Sequence, residues 1–283
     1  MPSRMHAPMP GSTRPLSHAI VRQPAQSLLD ACELTHLDRV PIDATGIERE
    51  HAAYRDALIA MGLAVTVLPA IEAHPDSVFM EDTAVVLDEV LVLTRPTRSR
   101  EAEPAHLLAD AGDLGRTVAR FTAPGTLEGG DVLRIGRRLM VGITTRTNAE
   151  GVRQLRALVE PFGYTVDAFA VGRSLHFKTA CTALDDGLLV VNPTWVDAEA
   201  LRTLGFETLD VPADEPFAAN LLRVDGRVLV NAAAPKTLAR IREAWRARGH
   251  SSDALFETPL VEFGKAEAGL TCLSLVYAAP PST

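Results

Sequence analysis

The chain has 283 residues, a formal net charge of −8 and 47% hydrophobic residues. This size and composition suit one large globular domain or two small ones. The acidic balance argues against a nucleic-acid partner, because binding phosphate requires clustered Lys and Arg side chains. No apolar run reaches the length of a membrane span, so no membrane association is expected. The charge favours a cationic small molecule.

The three cysteines, Cys32, Cys181 and Cys272, are far apart in the sequence and form no CxxC pair. A disulfide framework or a structural zinc site is therefore not expected, and a cytoplasmic location follows. Residues 1–15 hold Pro, Ser, Arg and Gly without the apolar segment of a signal peptide, which predicts a disordered lead-in. Residues 16–283 are predicted to form a single catalytic domain.

The first predicted elements are a strand at residues 18–22, a helix at residues 48–61 and a strand at residues 63–68. The helix has apolar residues near helical spacing and stops at Gly62, a typical C-terminal signal.

A hairpin pattern then recurs four times. Each copy has two short apolar runs joined by a tight turn with Asp or Gly, a strong hairpin signal. The predicted hairpins cover residues 83–94, 131–143, 179–191 and 220–231. Helices are predicted after the last three, at residues 150–162, 197–204 and 235–248. Single strands are predicted at residues 117–121, 165–169, 207–211 and 257–261. A period of roughly 40 to 50 residues indicates a circular or stacked array.

A fifth hairpin can be assembled from residues 270–277 and the strand at residues 18–22. Pairing the two ends of the chain would close a ring without leaving an exposed sheet edge. We therefore predict an α/β fold of five ββαβ-type modules around a central channel.

Chemically active side chains occupy one repeated position, just before each hairpin. They are Glu81 with Asp82, Glu128, His176, Asn220 and Cys272. In a ring of modules these positions converge on the channel, and a purely structural repeat has no reason to place such groups there. The pattern predicts an active site at the channel.

These groups suit attack on a cationic sp² carbon. Cys272, as a thiolate, would be the nucleophile. His176 would give a proton to a leaving amine, and Glu128 would orient the imidazole and favour its protonated form. Asp82 and Glu81 would pair with a planar cation such as a guanidinium.

Two arginines, Arg95 and Arg146, follow the second strands of their hairpins and would suit a substrate carboxylate. Each residue also has a plainer interpretation: solvated loop arginines, a core histidine at His176 and a simple turn at Glu128. Cys32 and Cys181 are taken as structural. The shared position within the repeat favours the functional interpretation.

Eight motifs span most of the chain in a fixed order. They are residues 25–28 (AQSL), 76–83 (DSVFMEDT), 93–96 (LTRP), 123–131 (APGTLEGGD), 146–151 (RTNAEG), 175–179 (LHFKT), 218–220 (AAN) and 265–272 (KAEAGLTC). This set resembles the dimethylarginine dimethylaminohydrolase family of guanidino-group-modifying enzymes. The resemblance implies a five-bladed α/β propeller, the pentein fold, closed by pairing of the N- and C-terminal strands.

The resemblance implies that Cys272 forms a thiouronium-type adduct as dimethylamine leaves. His176 would donate the proton and later activate water, with Glu128 in support. The substrate-binding residues it implies are Leu28, Asp76, Glu81, Asp82, Arg95, Arg146 and Ala266.

Within that set, Asp82 with Glu81 would hold the guanidinium, and Arg95 with Arg146 the α-carboxylate. The α-amino group would be received by Asp76 and by the backbone carbonyls of Leu28 and Ala266. The segment between residues 16 and 46 is predicted to cover the site.

The implied reaction is hydrolysis of an amidine C–N bond. Asymmetric dimethylarginine or monomethylarginine would give L-citrulline and dimethylamine or methylamine. No cofactor and no required metal are expected. Leu273 follows the nucleophile where certain relatives carry a second cysteine, so regulatory chemistry at that position is not carried over.

Two alternatives stay open: an arginine deiminase-like guanidino hydrolase, and a non-catalytic propeller that binds a cationic amino acid. The sequence also leaves open the preference among methylated substrates and the oligomeric state, with a homodimer as one option.

Overall fold

Residues 14–280, apart from the side chain of Arg98, are described by a computed structural model. The predicted lead-in lies outside this range except for its last two residues. The strands are β1 (Leu16–Arg22), β2 (Ala64–Leu68), β3 (Ala84–Val86), β4 (Val90–Leu93), β5 (Thr117–Arg120), β6 (Val132–Ile135), β7 (Arg138–Ile143), β8 (Thr165–Ala170), β9 (Cys181–Ala183), β10 (Leu188–Val191), β11 (Glu207–Asp210), β12 (Leu222–Val224), β13 (Arg227–Asn231), β14 (Leu255–Thr258) and β15 (Leu275–Ala278). The helices are α1 (Leu28–Ala31), α2 (Ala44–Ala60), α3 (Glu103–Ala111), α4 (Ala149–Val159), α5 (Phe177–Ala180), α6 (Ala198–Thr203) and α7 (Pro235–Ala247).

The strands form five three-stranded sheets, one for each predicted module. In each sheet an antiparallel pair is extended by a third strand that runs parallel to the middle one, as in β6, β7 and β8. A helix connects the middle strand to the third, which is the usual way to join parallel strands. The predicted α/β propeller of ββαβ-type modules is confirmed.

The two ends of the chain close the ring. Strand β1 pairs antiparallel with β15, with Ala19 opposite Val276 and Ile20 opposite Leu275. On its other side β1 pairs in parallel with β2. The predicted closure by the terminal strands is therefore confirmed.

Three helices, α1, α3 and α5, were not predicted from the sequence, and one strand was misplaced. Helix α3 connects β4 to β5; Pro104 lies in its first turn and Gly112, at a φ of 72°, ends it. These are ordinary helix start and stop signals. The strand predicted at residues 257–261 is β14, which ends at Thr258, because Pro259 has no N–H to extend the pairing.

Buried apolar side chains form five clusters among the sheets and helices. Residues from the first strand of every hairpin, among them β3, β6 and β15, also line a central channel. No helix within residues 14–280 combines the length and apolar character needed to cross a bilayer. This framework places whatever precedes each hairpin near the axis of the ring.

Candidate active site

Short helical turns in front of the hairpins carry the predicted catalytic side chains. Asp82 lies in the turn Met80–Thr83, and Cys272 in the turn Thr271–Leu273. Glu128 and His176 are the residues before the turns that open the next two hairpins. Asp82, Glu128, His176 and Cys272 consequently line one cavity.

Two cavities lie back to back along the axis. The catalytic cavity has a volume of about 20 Å³, whereas the channel on the other side has about 640 Å³. Neighbouring residues face opposite sides: Glu81, Gly129 and Thr271 line the channel. Asp82, Glu128 and Cys272 line the catalytic cavity.

His176 and Glu128 form a buried ion pair. His176 Nε2 lies 2.8 Å from Glu128 Oε2 and 3.7 Å from Asp82 Oδ1. Burial alone would lower the pKa of His176, but the charge of Asp82 and the hydrogen bond to Glu128 outweigh it and raise the pKa to about 9. Burial would raise the pKa of Glu128, yet the bond to His176 holds it well below its usual range. The imidazole is therefore charged at neutral pH and able to donate a proton.

The two glycines after Glu128 make this approach possible. A Cβ on Gly130 would lie 2.6 Å from His176 Nδ1 and 2.8 Å from Asp82 Oδ1. A Cβ on Gly129 would lie 1.9 Å from the carbonyl oxygen of Glu81. All three distances are too short for a side chain, so the Gly-Gly pair is required by close packing at the site.

Cys272 is 8% exposed and lies at the cavity wall. Its Sγ accepts a hydrogen bond from the backbone N–H of Gly269 at 3.3 Å. Burial raises the pKa of this thiol strongly, the charges of Glu81 and Asp82 raise it further, and the Gly269 N–H opposes them. The thiol is therefore protonated in this structure, and a positive charge beside it would favour the nucleophilic thiolate.

Asp82 is held between a cation and a backbone amide. Its Oδ2 accepts from Arg100 Nη1 at 2.7 Å, and its Oδ1 accepts from the N–H of Gly130 at 2.9 Å. Arg100 is also bound by Glu103 at 2.7 Å. The Asp82 carboxylate is thus fixed in position, with Oδ1 on the side of His176.

Asp76 and Arg146 lie at the outer part of the cavity, next to the irregular segment between α1 and α2. Both carboxylate oxygens of Asp76 accept from the N–H of Glu33, at 3.2 and 3.1 Å. Arg146 Nη2 donates to Thr35 Oγ1 at 3.3 Å, while its buried Nε has no partner among the described residues. Burial is the chief cause that raises the pKa of Asp76 to about 6. Residues 32–43 therefore close over the site; we call them the lid.

The predicted cover, residues 16–46, is broader than this lid. Its first part, Leu16–Arg22, is the central strand of a sheet. Leu28 is fully buried at the start of α1 and does not line the cavity, whereas Ala266 does.

Two other predicted binding residues point elsewhere. Glu81 accepts from Lys178 Nζ at 2.5 Å and from Thr271 Oγ1 at 2.7 Å, on the channel side. Arg95 pairs with Glu101 at 2.9 Å and does not line the catalytic cavity. The structure does not place either side chain on the wall of the catalytic cavity with the others.

Comparison with known proteins identifies the family of the chain. An arginine deiminase family model matches residues 43–222. The chain is 38% identical to N(G),N(G)-dimethylarginine dimethylaminohydrolase of Streptomyces coelicolor, over 92% of this chain and 97% of that protein. The chain belongs to the N(G),N(G)-dimethylarginine dimethylaminohydrolase family. It is 33% identical to the enzyme of the same name from Pseudomonas aeruginosa, over 92% of this chain and 99% of that protein. A solved Pseudomonas aeruginosa structure, a cysteine-to-serine mutant complexed with citrulline, superposes with a TM-score of 0.81 at 31% identity, covering 93% of this chain and 99% of that one.

Membership in the family confirms the resemblance drawn from the eight motifs. It does not by itself assign roles to side chains. Three charged residues that were not predicted from the sequence also line the cavity: Glu33, Arg100 and Glu267. Only Arg100 had a local signal, a charge pair with Glu103 at i,i+3 near a helix start.

A metal ion would have to compete with a proton at this site. Ligand atoms of Asp82, Glu128 and His176 lie within 4.8 Å of one another. However, His176 would bind a metal only in its neutral form, and its surroundings raise its pKa to about 9 despite burial, which lowers it. The cluster is therefore better suited to proton transfer than to metal binding.

Proposed function

We propose that this protein hydrolyses Nω-methylated L-arginine to L-citrulline and a methylamine through a covalent intermediate on Cys272. The observation that carries the proposal is the buried His176–Glu128 ion pair, in the same cavity as the Cys272 thiol and the Asp82 carboxylate. The cavity therefore contains a proton donor, a nucleophile and a cation-binding group. The names of the Streptomyces coelicolor and Pseudomonas aeruginosa relatives support the choice of substrate.

The first half-reaction begins when the substrate guanidinium pairs with Asp82. Its positive charge favours loss of the Cys272 proton to solvent, and the thiolate Sγ adds to the guanidinium carbon. His176 then gives its proton to the methylated nitrogen. The C–N bond breaks, dimethylamine leaves, and a thiouronium adduct stays on Cys272.

Hydrolysis of the adduct uses the same groups in reverse. Neutral His176 takes a proton from water as the water oxygen attacks the carbon. As the C–S bond breaks, the hydroxyl becomes the ureido carbonyl and its proton passes to the departing Cys272 sulfur. This restores the thiol, and citrulline leaves. Glu128 holds the imidazole through both steps and stabilises its charged form.

The remaining substrate contacts are proposals of the same kind. The unpartnered Nε–H of Arg146 suits the α-carboxylate, and Asp76 with the carbonyl of Ala266 suits the α-ammonium. Arg95 and the carbonyl of Leu28 would reach the ligand only after the lid moves. Glu81 would act through its charge from behind Cys272.

The direct test is citrulline formation from asymmetric dimethylarginine, monomethylarginine and plain arginine, each supplied alone to the purified protein. We expect turnover on the methylated substrates and little on arginine. Turnover on arginine alone would retain the Cys272 chemistry but assign the enzyme to the deiminases. No turnover on any of the three would overturn the proposal and leave a binding function.

Asp82→Asn is expected to raise KM for dimethylarginine by about 10- to 100-fold, the value of a hydrogen bond between charged partners. Initial rates over a range of substrate concentrations measure the change. Glu103→Gln is the matched control, because it removes the other carboxylate of Arg100 from outside the cavity. An equal rise in both variants would show that the effect comes from Arg100 rather than from the guanidinium.

The setting of the enzyme is part of the proposal. The three cysteines are free and buried, which suits a reducing cytoplasm. A small cationic amino acid is the proposed partner, with a homodimer as the proposed assembly.

A further inference from the structure

The lid must open to admit a substrate. The catalytic cavity of about 20 Å³ has room for roughly one water molecule. An arginine derivative is many times larger, so the closed form described by this structure cannot load it directly. Something has to hold the lid down and then release it.

Glu267 connects the body of the protein to three consecutive amides of the lid. One of its carboxylate oxygens, Oε1, accepts from three consecutive lid amides: Thr35 at 2.9 Å, His36 at 2.5 Å and Leu37 at 2.6 Å. Successive backbone N–H groups of this kind form a small anion-binding concavity. The bond requires the full charge of a carboxylate for its strength.

The other oxygen of Glu267 is in an unusual position. Glu267 is 5% exposed and lines the same cavity as Asp82, His176 and Cys272. Its Oε2 is buried and has no hydrogen-bond partner within residues 14–280. A buried carboxylate oxygen without a donor is costly, and such a group beside a cavity indicates a donor on the ligand.

Glu33, a carboxylate of the lid itself, differs from Glu267 in having charged and polar side chains beside it. Glu33 already accepts from Ser99 Oγ at 2.5 Å and lies 3.4 Å from Arg146 Nη1. Its charge is therefore balanced by neighbouring side chains. Glu267 has no cation within salt-bridge distance among the described residues, and its backbone is held in the left-handed region at a φ of 59°. That rare conformation places the side chain between the lid and the cavity.

We propose that Glu267 couples ligand binding to closure of the lid. Its Oε1 holds the amides of residues 35–37, and its Oε2 accepts an N–H of the bound guanidino or ureido amino acid. The ligand and the lid thus share one carboxylate, and each orients it for the other. This role rests on the proposed function for the identity of the substrate, but the lid contact does not.

Glu267→Gln tests both halves. The glutamine carbonyl can stay on the lid amides, but its NH₂ group would then face the N–H groups of the ligand. We expect KM for dimethylarginine to rise about 10- to 100-fold while kcat stays within about threefold. Hydrogen exchange of the amides at residues 35–37, without ligand, is expected to accelerate at least about tenfold. L-citrulline should slow that exchange in the wild type and much less in the variant.

Glu262→Gln is the matched control. Glu262 also accepts a lid amide, from Asp43 at 2.8 Å, but it does not line the cavity. Exchange at residues 35–37 and KM should both stay at wild-type values. Glu267→Asn is a second variant that tolerates the left-handed backbone and is too short to bridge lid and ligand.

Unchanged exchange and a KM within about twofold of the wild type in both Glu267 variants would overturn the proposal. Faster exchange with an unchanged KM and undiminished citrulline protection would show that Glu267 holds the lid but does not contact the ligand. A wild-type protein that forms no citrulline would instead refute the proposed function, while exchange at residues 35–37, with and without L-citrulline, would still decide the role of Glu267.

Discussion

Replacing Cys272 with serine should lower citrulline formation by at least about 10⁴-fold, because removing the nucleophile of a covalent mechanism removes most of its rate enhancement. Serine keeps nearly the same shape, so the cavity and its contacts are retained. A hydroxyl, however, stays protonated far above the pH at which a bound guanidinium can ionise a thiol. Citrulline release from dimethylarginine measures the loss.

Cys181→Ala is the control for this experiment. Cys181 is fully buried at the start of β9 and does not line the catalytic cavity. Its replacement should leave turnover near the wild-type level. Intact binding of citrulline to Cys272→Ser would show that only the chemistry was lost, whereas turnover by that variant at the wild-type rate would refute the covalent mechanism.

The repeat made much of the fold accessible from the sequence. Tight turns with Asp or Gly between apolar runs are local signals, and their regular spacing implied five equivalent modules. The same repeat placed Asp82, Glu128, His176 and Cys272 in front of their hairpins, so their convergence follows from topology. The structure does bring these four side chains into one cavity.

The repeat in the sequence did not predict which way individual side chains point. Glu81 and Asp82 are adjacent in sequence, yet one lines the channel and the other the catalytic cavity. Glu267 bonds to amides more than 200 residues away, which no local pattern encodes. Arg95 pairs with Glu101, a contact that depends on how the loop after β4 folds back. Long-range contacts of this kind determine which side chains line the catalytic cavity. Sequence periodicity does not predict such contacts.

Glu128→Gln is expected to lower kcat/KM by about 10²- to 10⁴-fold, the usual contribution of general acid–base catalysis. Glu128 is fully buried, and its Oε2 lies 2.8 Å from His176 Nε2. Burial lowers the pKa of His176, and the charge of Asp82 continues to oppose it in the variant, but the amide removes the contribution of the Glu128 carboxylate, so the pKa of His176 falls. The alkaline limb of kcat/KM, which follows His176 in the free enzyme, should move from near pH 9 to lower pH.

Thr97→Val is the control for Glu128→Gln. Thr97 Oγ1 donates to the other oxygen of Glu128, Oε1, at 3.1 Å and leaves the pair with His176 intact. Its effect on the alkaline limb should be small beside that of Glu128→Gln. Equal shifts in the two variants would contradict a direct role for the ion pair.

The same ion pair determines in which direction the stability of the folded protein should change with pH. Burial lowers the pKa of His176, but the neighbouring carboxylates raise it in the folded protein from 6.5 to about 9. The proton on the imidazole therefore stabilises the folded state fully below pH 6.5, and this stabilisation is lost as the pH rises through about 9. The difference in Tm between wild type and Glu128→Gln should be largest at the acid end of that window and shrink towards pH 9. A difference that stays constant or grows across the window would mean that the buried pair is not the ion pair on which proton transfer to the leaving amine depends.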